Sequence, residues 1–185
     1  MSIQNPKWSN EPNKYLVEYI EDLKKGTVLD LGGSDGVNAI FLAQSGFDVT
    51  NVDKDAEALR LLASYSKDIS LEINTVNANL NEYNIDNEYD NVISFYTFHF
   101  LDKDSGQKLI ENIQSKTRLE GLNILIGFTD QGEFKLNNQK CYFVDNFLLD
   151  IYKSWEILYH SKFTGSTKSG LSQEREVLVA KKVVS

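Results

Sequence analysis

Cysteine, histidine and basic residues are all scarce in this chain of 185 residues, which has one cysteine and two histidines. A single cysteine, Cys141, cannot form an intrachain disulfide, so the composition favours a reducing compartment and we expect a cytoplasmic protein. No apolar run approaches the ~18 residues that a membrane-spanning helix needs. The polar residues 1–6 lack the apolar centre of a signal peptide. The sequence therefore predicts no membrane partner.

The shortage of basic residues also limits the partners that the surface can attract. Lys and Arg together number 19 against 27 Asp and Glu, which gives a formal net charge of −8 at pH 7. Nucleic acid and anionic membranes carry the same sign of charge and are repelled by such a surface. We therefore expect no nucleic-acid partner. The sequence leaves open whether the protein is a monomer or a homodimer.

Segments with strand and helix patterns alternate through the first two thirds of the chain, which predicts an α/β fold with a mostly parallel sheet. Apolar residues at helical spacing predict a helix over 15–23, ahead of the first strand. Strands are predicted at 27–31, 47–52, 71–78, 89–95 and 122–126, and helices at 37–46, 56–67 and 104–117.

The pattern changes after the fifth strand. Residues 127–140 are polar and predict a long connection, followed by a short helix over 145–152. Two closing strands at 155–161 and 174–184 are joined by the loop 163–170, so we expect them to pair antiparallel. The acidic run 84–90 has neither a histidine nor the spacing of a calcium loop, and it predicts a solvated turn rather than a metal site.

The most informative segment is 28–36, which reads Val-Leu-Asp-Leu-Gly-Gly-Ser-Asp-Gly. It predicts a buried strand, a glycine-rich turn and then the start of a helix. Glycines suit such a turn where a ligand approaches the backbone closely or where φ is positive. Asp53 ends the second strand, and an acid there is placed to accept hydrogen bonds from both hydroxyls of a ribose. Together these features indicate a cofactor that contains a nucleoside.

The spacing of the glycines argues against two common nucleotide sites. A dinucleotide fingerprint needs glycine at its first, third and sixth positions, which here are Gly32, Ser34 and Val37. The Gly-Lys-Ser/Thr ending of a mononucleotide phosphate loop is also missing. A cofactor with a ribose and no pyrophosphate fits the glycine spacing better. A nicotinamide-dependent oxidoreductase is the less favoured alternative.

The motif 30–36 with Asp53 resembles the first two motifs of class I S-adenosylmethionine-dependent methyltransferases. The stretches 37–50, 89–101, 152–157 and 178–182 are similar to the tellurite-resistance (TehB-like) group, so the resemblance covers residues 10–183. It implies a Rossmann-like fold in one domain, 1–185, with a seven-stranded, mostly parallel sheet, one antiparallel strand and helices on both faces. The segment 1–25, with Trp8 and Tyr15, would form a helix and a lid.

The resemblance also implies which residues bind the cofactor. The acid of the first strand and the glycine turn would surround its methionine end, Asp53 would hold the ribose, and residues after strands three and four would flank the adenine and the sulfonium. No residue is expected to bind a metal. The implied cofactor-binding residues are Asp30, Gly32, Gly33, Ser34, Gly36, Asn38, Asp53, Lys54, Asn79, Leu80, Ser94 and Phe95.

The implied activity is methyl transfer from S-adenosylmethionine to a small-molecule acceptor such as a thiol, selenium or tellurium species, with S-adenosylhomocysteine as product. Tyr96 and His99 are the candidate catalytic residues, and the alternative for His99 is a packed side chain beneath the cofactor loop. The alternative is a protein that binds the cofactor with reduced catalysis and acts as a sensor or subunit. Ser34, Asn79 and the missing His-Arg pair in 163–175 motivate it, because they depart from the family pattern.

Overall fold

The computed structural model describes residues 11–133, 140–144, 146–167 and 169–183. Within them, seven strands are present: β1 Thr27–Leu31, β2 Asp48–Asp53, β3 Ile73–Asn77, β4 Asn91–Phe95, β5 Leu122–Gly132, β6 Glu156–Ser166 and β7 Ser172–Lys181. They form one sheet in the order β3-β2-β1-β4-β5-β7-β6. Neighbours from β3 to β5 are parallel, whereas β7 is antiparallel to both β5 and β6. The predicted sheet with one antiparallel strand is confirmed.

Helices cover both faces of this sheet. They are α1 Lys14–Glu18, α2 Val37–Gln44, α3 Ala56–Asp68, α4 Lys103–Lys116 and α5 Phe147–Ile151, with a 3₁₀ turn at Phe98–Phe100. Buried residues of α1, α2 and α3 pack in one apolar cluster, and those of α4 and α5 pack in a second cluster on the opposite face. Among the described residues, no helix is long and apolar enough to cross a membrane.

The central strands form where the sequence is apolar on both sides. Val28, Leu29 and Leu31 of β1 are all buried, as expected for a parallel strand that lies between two layers of helices. The first turn of α3 is capped by Asp55, whose carboxylate accepts a hydrogen bond from the Ala58 N–H. Gly46 follows α2 with a φ of +85°, which confirms the predicted glycine stop.

The strand order also fixes where a ligand can bind. The chain moves outward from β1 to β2 and β3, then returns to the other side of β1 to form β4. Ligands of open α/β sheets bind at such a reversal, beyond the carboxyl ends of the strands. The glycine turn after β1, the end of β2 and the end of β4 meet there.

The predicted connection over 127–140 is wrong in its first part. Strand β5 continues to Gly132, because the backbone of Gly127 and Phe128 stays paired with β7 despite the polar residues that follow. The hairpin between β6 and β7 is also tighter than the predicted loop 163–170, since pairing extends to Ser166 and Ser172. Trp8, 134–139 and Asp145, which the predictions included, lie outside the described residues.

Candidate active site

The glycine turn adopts a left-handed backbone at several positions and packs tightly on the sheet. Gly32 has a φ of +74°, and its N–H donates a hydrogen bond of 2.8 Å to the Val52 carbonyl oxygen. A Cβ atom at Gly32 would collide with the side chain of Thr97. Ser34 has a φ of +49°, a conformation that is uncommon for a residue with a side chain and that is often found at functional sites.

Asp53 links the tip of β2 to this turn. Its Oδ2 accepts a hydrogen bond of 2.9 Å from the Ser34 N–H, and its Oδ1 accepts one of 2.9 Å from the Asp55 N–H. An ionised carboxylate offers about four lone-pair sites, so acceptor capacity remains on the side chain. The two backbone donors therefore fix the orientation of the carboxylate and leave it able to bind further donors.

Asp30 and Asn51 are fully enclosed beneath the turn. They are direct partners in the register of β1 and β2. Burial, and after it the charge of Asp53, raises the pKa of Asp30 to about 7. A Cβ atom at Gly33 would lie 2.5 Å from Asp30 Oδ2 and 2.7 Å from Asn51 Nδ2, so only glycine fits above this pair.

The tip of β4 is held by hydrogen bonds to β1 and β5. The Ser94 hydroxyl donates to the Leu31 carbonyl oxygen at 2.9 Å, and the side chain is fully buried. The hydroxyl of Ser94, a predicted cofactor-binding residue, therefore supports the glycine turn from below. Tyr96 has a φ of +57°, and its N–H donates to the Ile126 carbonyl oxygen at 2.7 Å. Tyr96 is exposed at this tip, whereas Phe95 is half-buried and packs against the apolar cluster that also holds α1 to α3.

A cationic side chain from β7 lies among aromatic rings next to Tyr96. The centre of the Arg175 guanidinium lies 5.9 Å, 5.4 Å and 6.0 Å from the rings of Tyr96, Phe128 and Phe163. It donates hydrogen bonds to the carbonyl oxygens of Gly165, Ser166 and Gln173. Although only 8% of the residue is exposed, no carboxylate in the described part of the chain forms an ion pair with it.

His99 is stacked between two of the neighbouring rings. Its imidazole lies 4.2 Å from the Phe128 ring at an angle of 16°, and 4.1 Å from the Phe100 ring. Burial lowers the pKa of His99 to about 4. The imidazole is therefore neutral at physiological pH and a weak base.

The shifted groups His99 and Asp30 give the folding free energy opposite dependences on pH. In the unfolded chain a histidine is protonated below pH 6.5, whereas folded His99 is protonated only below a pH of about 4. The contribution of His99 to the free energy of unfolding therefore rises with pH between these two values. Folded Asp30 keeps its proton until a pH of about 7, whereas an unfolded aspartic acid has lost it above 3.8. The contribution of Asp30 therefore falls as the pH rises through that range.

We expect single substitutions to separate these two opposed contributions. Relative to the wild type, the free energy of unfolding of Asp30→Asn should increase from pH 4.5 to pH 7, by on the order of 3 kcal/mol. That of His99→Phe should decrease over the same range by a similar amount, because the rise due to His99 is lost. Urea denaturation at several pH values measures both, and parallel pH profiles for all three proteins would contradict the assignment.

Most of the remaining residues that were predicted to bind the cofactor lie near the carboxyl ends of the strands, beside the glycine turn. Asn38 lies in the first turn of α2 and accepts a hydrogen bond of 2.8 Å from the Asn13 N–H, which ties the N-terminal segment to the turn. Lys54 and Asn79 are exposed, and Asn79 Oδ1 accepts from the Asn81 N–H. The side chain of Leu80 is buried in the apolar cluster of α4, and its place beside the adenine ring stays a prediction. Gly36, also buried, is the N-cap residue of α2.

Sequence reasoning missed Arg175 and Asn51. Asn51 is a polar residue in the buried strand β2, and a polar side chain there needs a partner, so this position carried a signal. Arg175 lies between Glu174 and Glu176 in the polar first half of β7, so its burial had no signal in the sequence. Cys141 is buried, and burial raises the pKa of its thiol to about 11.

Comparison with known proteins identifies the family of this chain. A profile of the family described as "Tellurite resistance protein TehB" matches residues 10–173. The chain belongs to the TehB family. The resemblance to the tellurite-resistance (TehB-like) group, drawn from 37–50, 89–101, 152–157 and 178–182, is thereby confirmed.

Members of the TehB family and more distant structures share the fold. The probable S-adenosyl-L-methionine-dependent methyltransferase TehB of Haemophilus influenzae (strain 10810) is 30% identical over 139 residues, which cover 75% of this chain and 49% of that protein. The crystal structure of TehB from Haemophilus influenzae superposes with a TM-score of 0.84 at 26% identity, over 92% of this chain and 62% of the other.

A magnesium protoporphyrin IX methyltransferase from Synechocystis with bound SAM has a TM-score of 0.66 at 17% identity, over 91% of this chain and 74% of the other. These matches establish the class I methyltransferase fold. The chain spans about half the length of the curated TehB relative, 49% of it.

Proposed function

We propose that this chain transfers a methyl group from S-adenosylmethionine to a small-molecule acceptor and releases S-adenosylhomocysteine. The observation that carries the proposal is the Asp53 carboxylate, which two backbone N–H groups hold at the tip of β2 beside the glycine turn. That geometry suits the two hydroxyls of a ribose. The cofactor supplies an activated methyl group, and the protein contributes position and the exclusion of water.

The residues present also fit the other end of such a cofactor. Asp30 Oδ2 and both polar atoms of Asn51 are buried beneath Gly33 without a hydrogen-bond partner in the described residues. Buried polar atoms of this kind favour a ligand with matching donors and acceptors. We assign Asp30 to the methionine end, with Asp53 at the ribose and the exposed Lys54 and Asn79 on the adenine side.

The surroundings of Arg175 favour an anionic acceptor. A buried guanidinium without a carboxylate partner attracts a negative group, and the rings of Tyr96, Phe128 and Phe163 limit the water around it. Neutral, stacked His99 is poorly suited to remove a proton from an acceptor. We therefore favour an acceptor that arrives deprotonated, such as a thiolate or an anionic selenium or tellurium species.

The proposed transfer is a single displacement. A lone pair of the acceptor forms a bond to the methyl carbon while the bond from that carbon to the sulfonium sulfur breaks, and the electrons of that bond neutralise the sulfur. Tyr96, which is 36% exposed at the tip of β4, would contact the acceptor and fix its direction of approach. We place His99 behind it as a packing residue, with no role as a general base.

Calorimetry and a transfer assay test the proposal together. We expect S-adenosylmethionine and S-adenosylhomocysteine to bind, and mass spectrometry to detect methylation of at least one acceptor from a panel of thiol, selenol, tellurite, amine and phenol compounds. Binding without transfer to any acceptor would favour the sensor or subunit, and no binding of either compound would reject both functions. A cytoplasmic setting and a monomer or homodimer, with neither nucleic acid nor membrane as partner, stay predictions.

A further inference from the structure

The pair formed by Asp30 and Asn51 is unusual for the interior of a parallel sheet. The two residues face each other across β1 and β2, and both are buried, with 1% and 0% of their surfaces exposed. Leu29, Leu31 and Val52, directly beside them along these strands, are buried in the apolar cluster that also holds α4 and α5. Polar side chains in such a place are expected to hydrogen-bond each other or the backbone.

Three atoms of this pair have no such partner. Asp30 Oδ2, Asn51 Oδ1 and Asn51 Nδ2 form no hydrogen bond to any described residue. Other buried asparagines of the sheet do find partners: Asn91 binds the Lys24 backbone and the Leu122 N–H, and Asn123 binds Thr117 and Tyr152. Leaving buried polar atoms unpaired is unfavourable for folding, so the exception at Asn51 points to a function.

The direction and the chemistry of the three atoms indicate what they bind. Asp30 Oδ2 and Asn51 Nδ2 both lie under Gly33, within 2.7 Å of the position that a Cβ would take. Together the pair offers two acceptors and one amide donor. An ammonium group beside a carboxylate, as at the end of an amino acid, offers the complementary donors and acceptors.

We propose that Asn51 is a positioning residue for the amino-acid end of S-adenosylmethionine, acting with Asp30 either directly or through one bridging water. The proposal rests on the proposed function and adds a residue to it. Asn51 would hold the carboxylate and ammonium groups of the cofactor, and so fix the sulfonium relative to Tyr96. Asp53 would hold the ribose independently of this contact.

Two ligands that differ only at the amino-acid end test the proposal. S-adenosylhomocysteine carries that end, whereas 5′-methylthioadenosine keeps the adenosine and the sulfur but lacks it. For Asn51→Ala we expect the Kd of S-adenosylhomocysteine to rise about tenfold, the effect of losing one buried polar contact, and the Kd of methylthioadenosine to stay unchanged. Asn51→Ser serves as a second variant with a smaller side chain that still carries a hydrogen-bonding group.

A control asparagine separates this role from a merely structural one. Asn91→Ala removes satisfied hydrogen bonds and should lower Tm, while the ratio of the two Kd values stays as in the wild type. Asn51→Ala should not lower the Tm of the protein without ligand, because the atoms it removes have no partner. Equal weakening of both ligands, or no weakening of either, would overturn the role of Asn51. A wild type that binds neither ligand would instead reject the proposed function.

Discussion

Asp53→Ala is expected to weaken the binding of S-adenosylhomocysteine by about 1–3 kcal/mol, the range for unmet buried polar partners. The substitution removes the acceptor of two proposed ribose hydroxyls, and it also frees the N–H groups of Ser34 and Asp55. The glycine turn then loses its tie to β2, so the effect should include a looser turn. Calorimetry of S-adenosylhomocysteine and of 5′-methylthioadenosine measures it, and both ligands should weaken alike because both carry the ribose.

Asp55→Ala is the matched control for this substitution. It also removes a carboxylate near the turn, but that carboxylate caps α3 through the Ala58 N–H. We expect it to lower the free energy of unfolding by about 1 kcal/mol, the usual effect of losing an N-cap, with no change in the two affinities. Unchanged affinity in Asp53→Ala, or equal losses in both variants, would show that Asp53 does not hold the ribose.

The central strands could be predicted from the sequence because apolar runs bounded by glycine have few alternatives. The predicted bounds of the first strand, 27–31, agree with β1, which lies between Gly26 and Gly32. Prediction was weaker for β3, which is short and partly exposed at an edge of the sheet. The antiparallel pairing of the two closing strands was predicted from the loop between them, whereas the union of all seven strands in one sheet came from the family resemblance, since local patterns do not specify how distant strands pair.

The errors fall where backbone pairing or burial overrides the local pattern. Strand β5 extends through polar residues because β7 supplies hydrogen bonds to its backbone, which no periodicity in 127–132 reveals. Ser94 and Leu80 were assigned to the cofactor by position in a motif, and that position did not reveal that the packing encloses both side chains. Arg175 was missed because the sequence does not show that three carbonyl oxygens and three rings meet around it.

The glycine turn and the acceptor side of the site are connected by the packing. Thr97, two residues after the end of β4, donates a hydrogen bond to the Leu31 carbonyl oxygen and occupies the space that a side chain at Gly32 would need. A larger residue at Gly32 would therefore displace Thr97 and strain the backbone. This packing fixes the position of Tyr96, at the tip of β4, relative to the turn that is proposed to bind the cofactor. Methyl transfer requires such a fixed geometry between the acceptor and the cofactor.

Arg175→Met is expected to lower kcat/KM for an anionic acceptor by about 10²-fold, while the affinity for S-adenosylhomocysteine stays unchanged. Methionine keeps an unbranched apolar stem between the rings of Tyr96, Phe128 and Phe163 but removes the positive charge. Thiophenolate and aniline form a matched pair of acceptors, since they share a ring and differ in charge. The loss should be large for thiophenolate and small for neutral aniline, as measured by mass spectrometry of the methylated products.

The same substitution leaves the carbonyl oxygens of Gly165, Ser166 and Gln173 without their donor, so it should also loosen the hairpin between β6 and β7. Thr167→Val controls for that effect, because it removes the hydrogen bond from the Leu171 N–H to Thr167 Oγ1 at the hairpin tip and leaves the guanidinium in place. If the charge of Arg175 recruits the acceptor, Arg175→Met lowers kcat/KM more for thiophenolate than for aniline, whereas Thr167→Val changes kcat/KM equally for both acceptors. Equal losses for thiophenolate and aniline, or the same pattern in Thr167→Val, would show that Arg175 acts through the hairpin rather than through its charge.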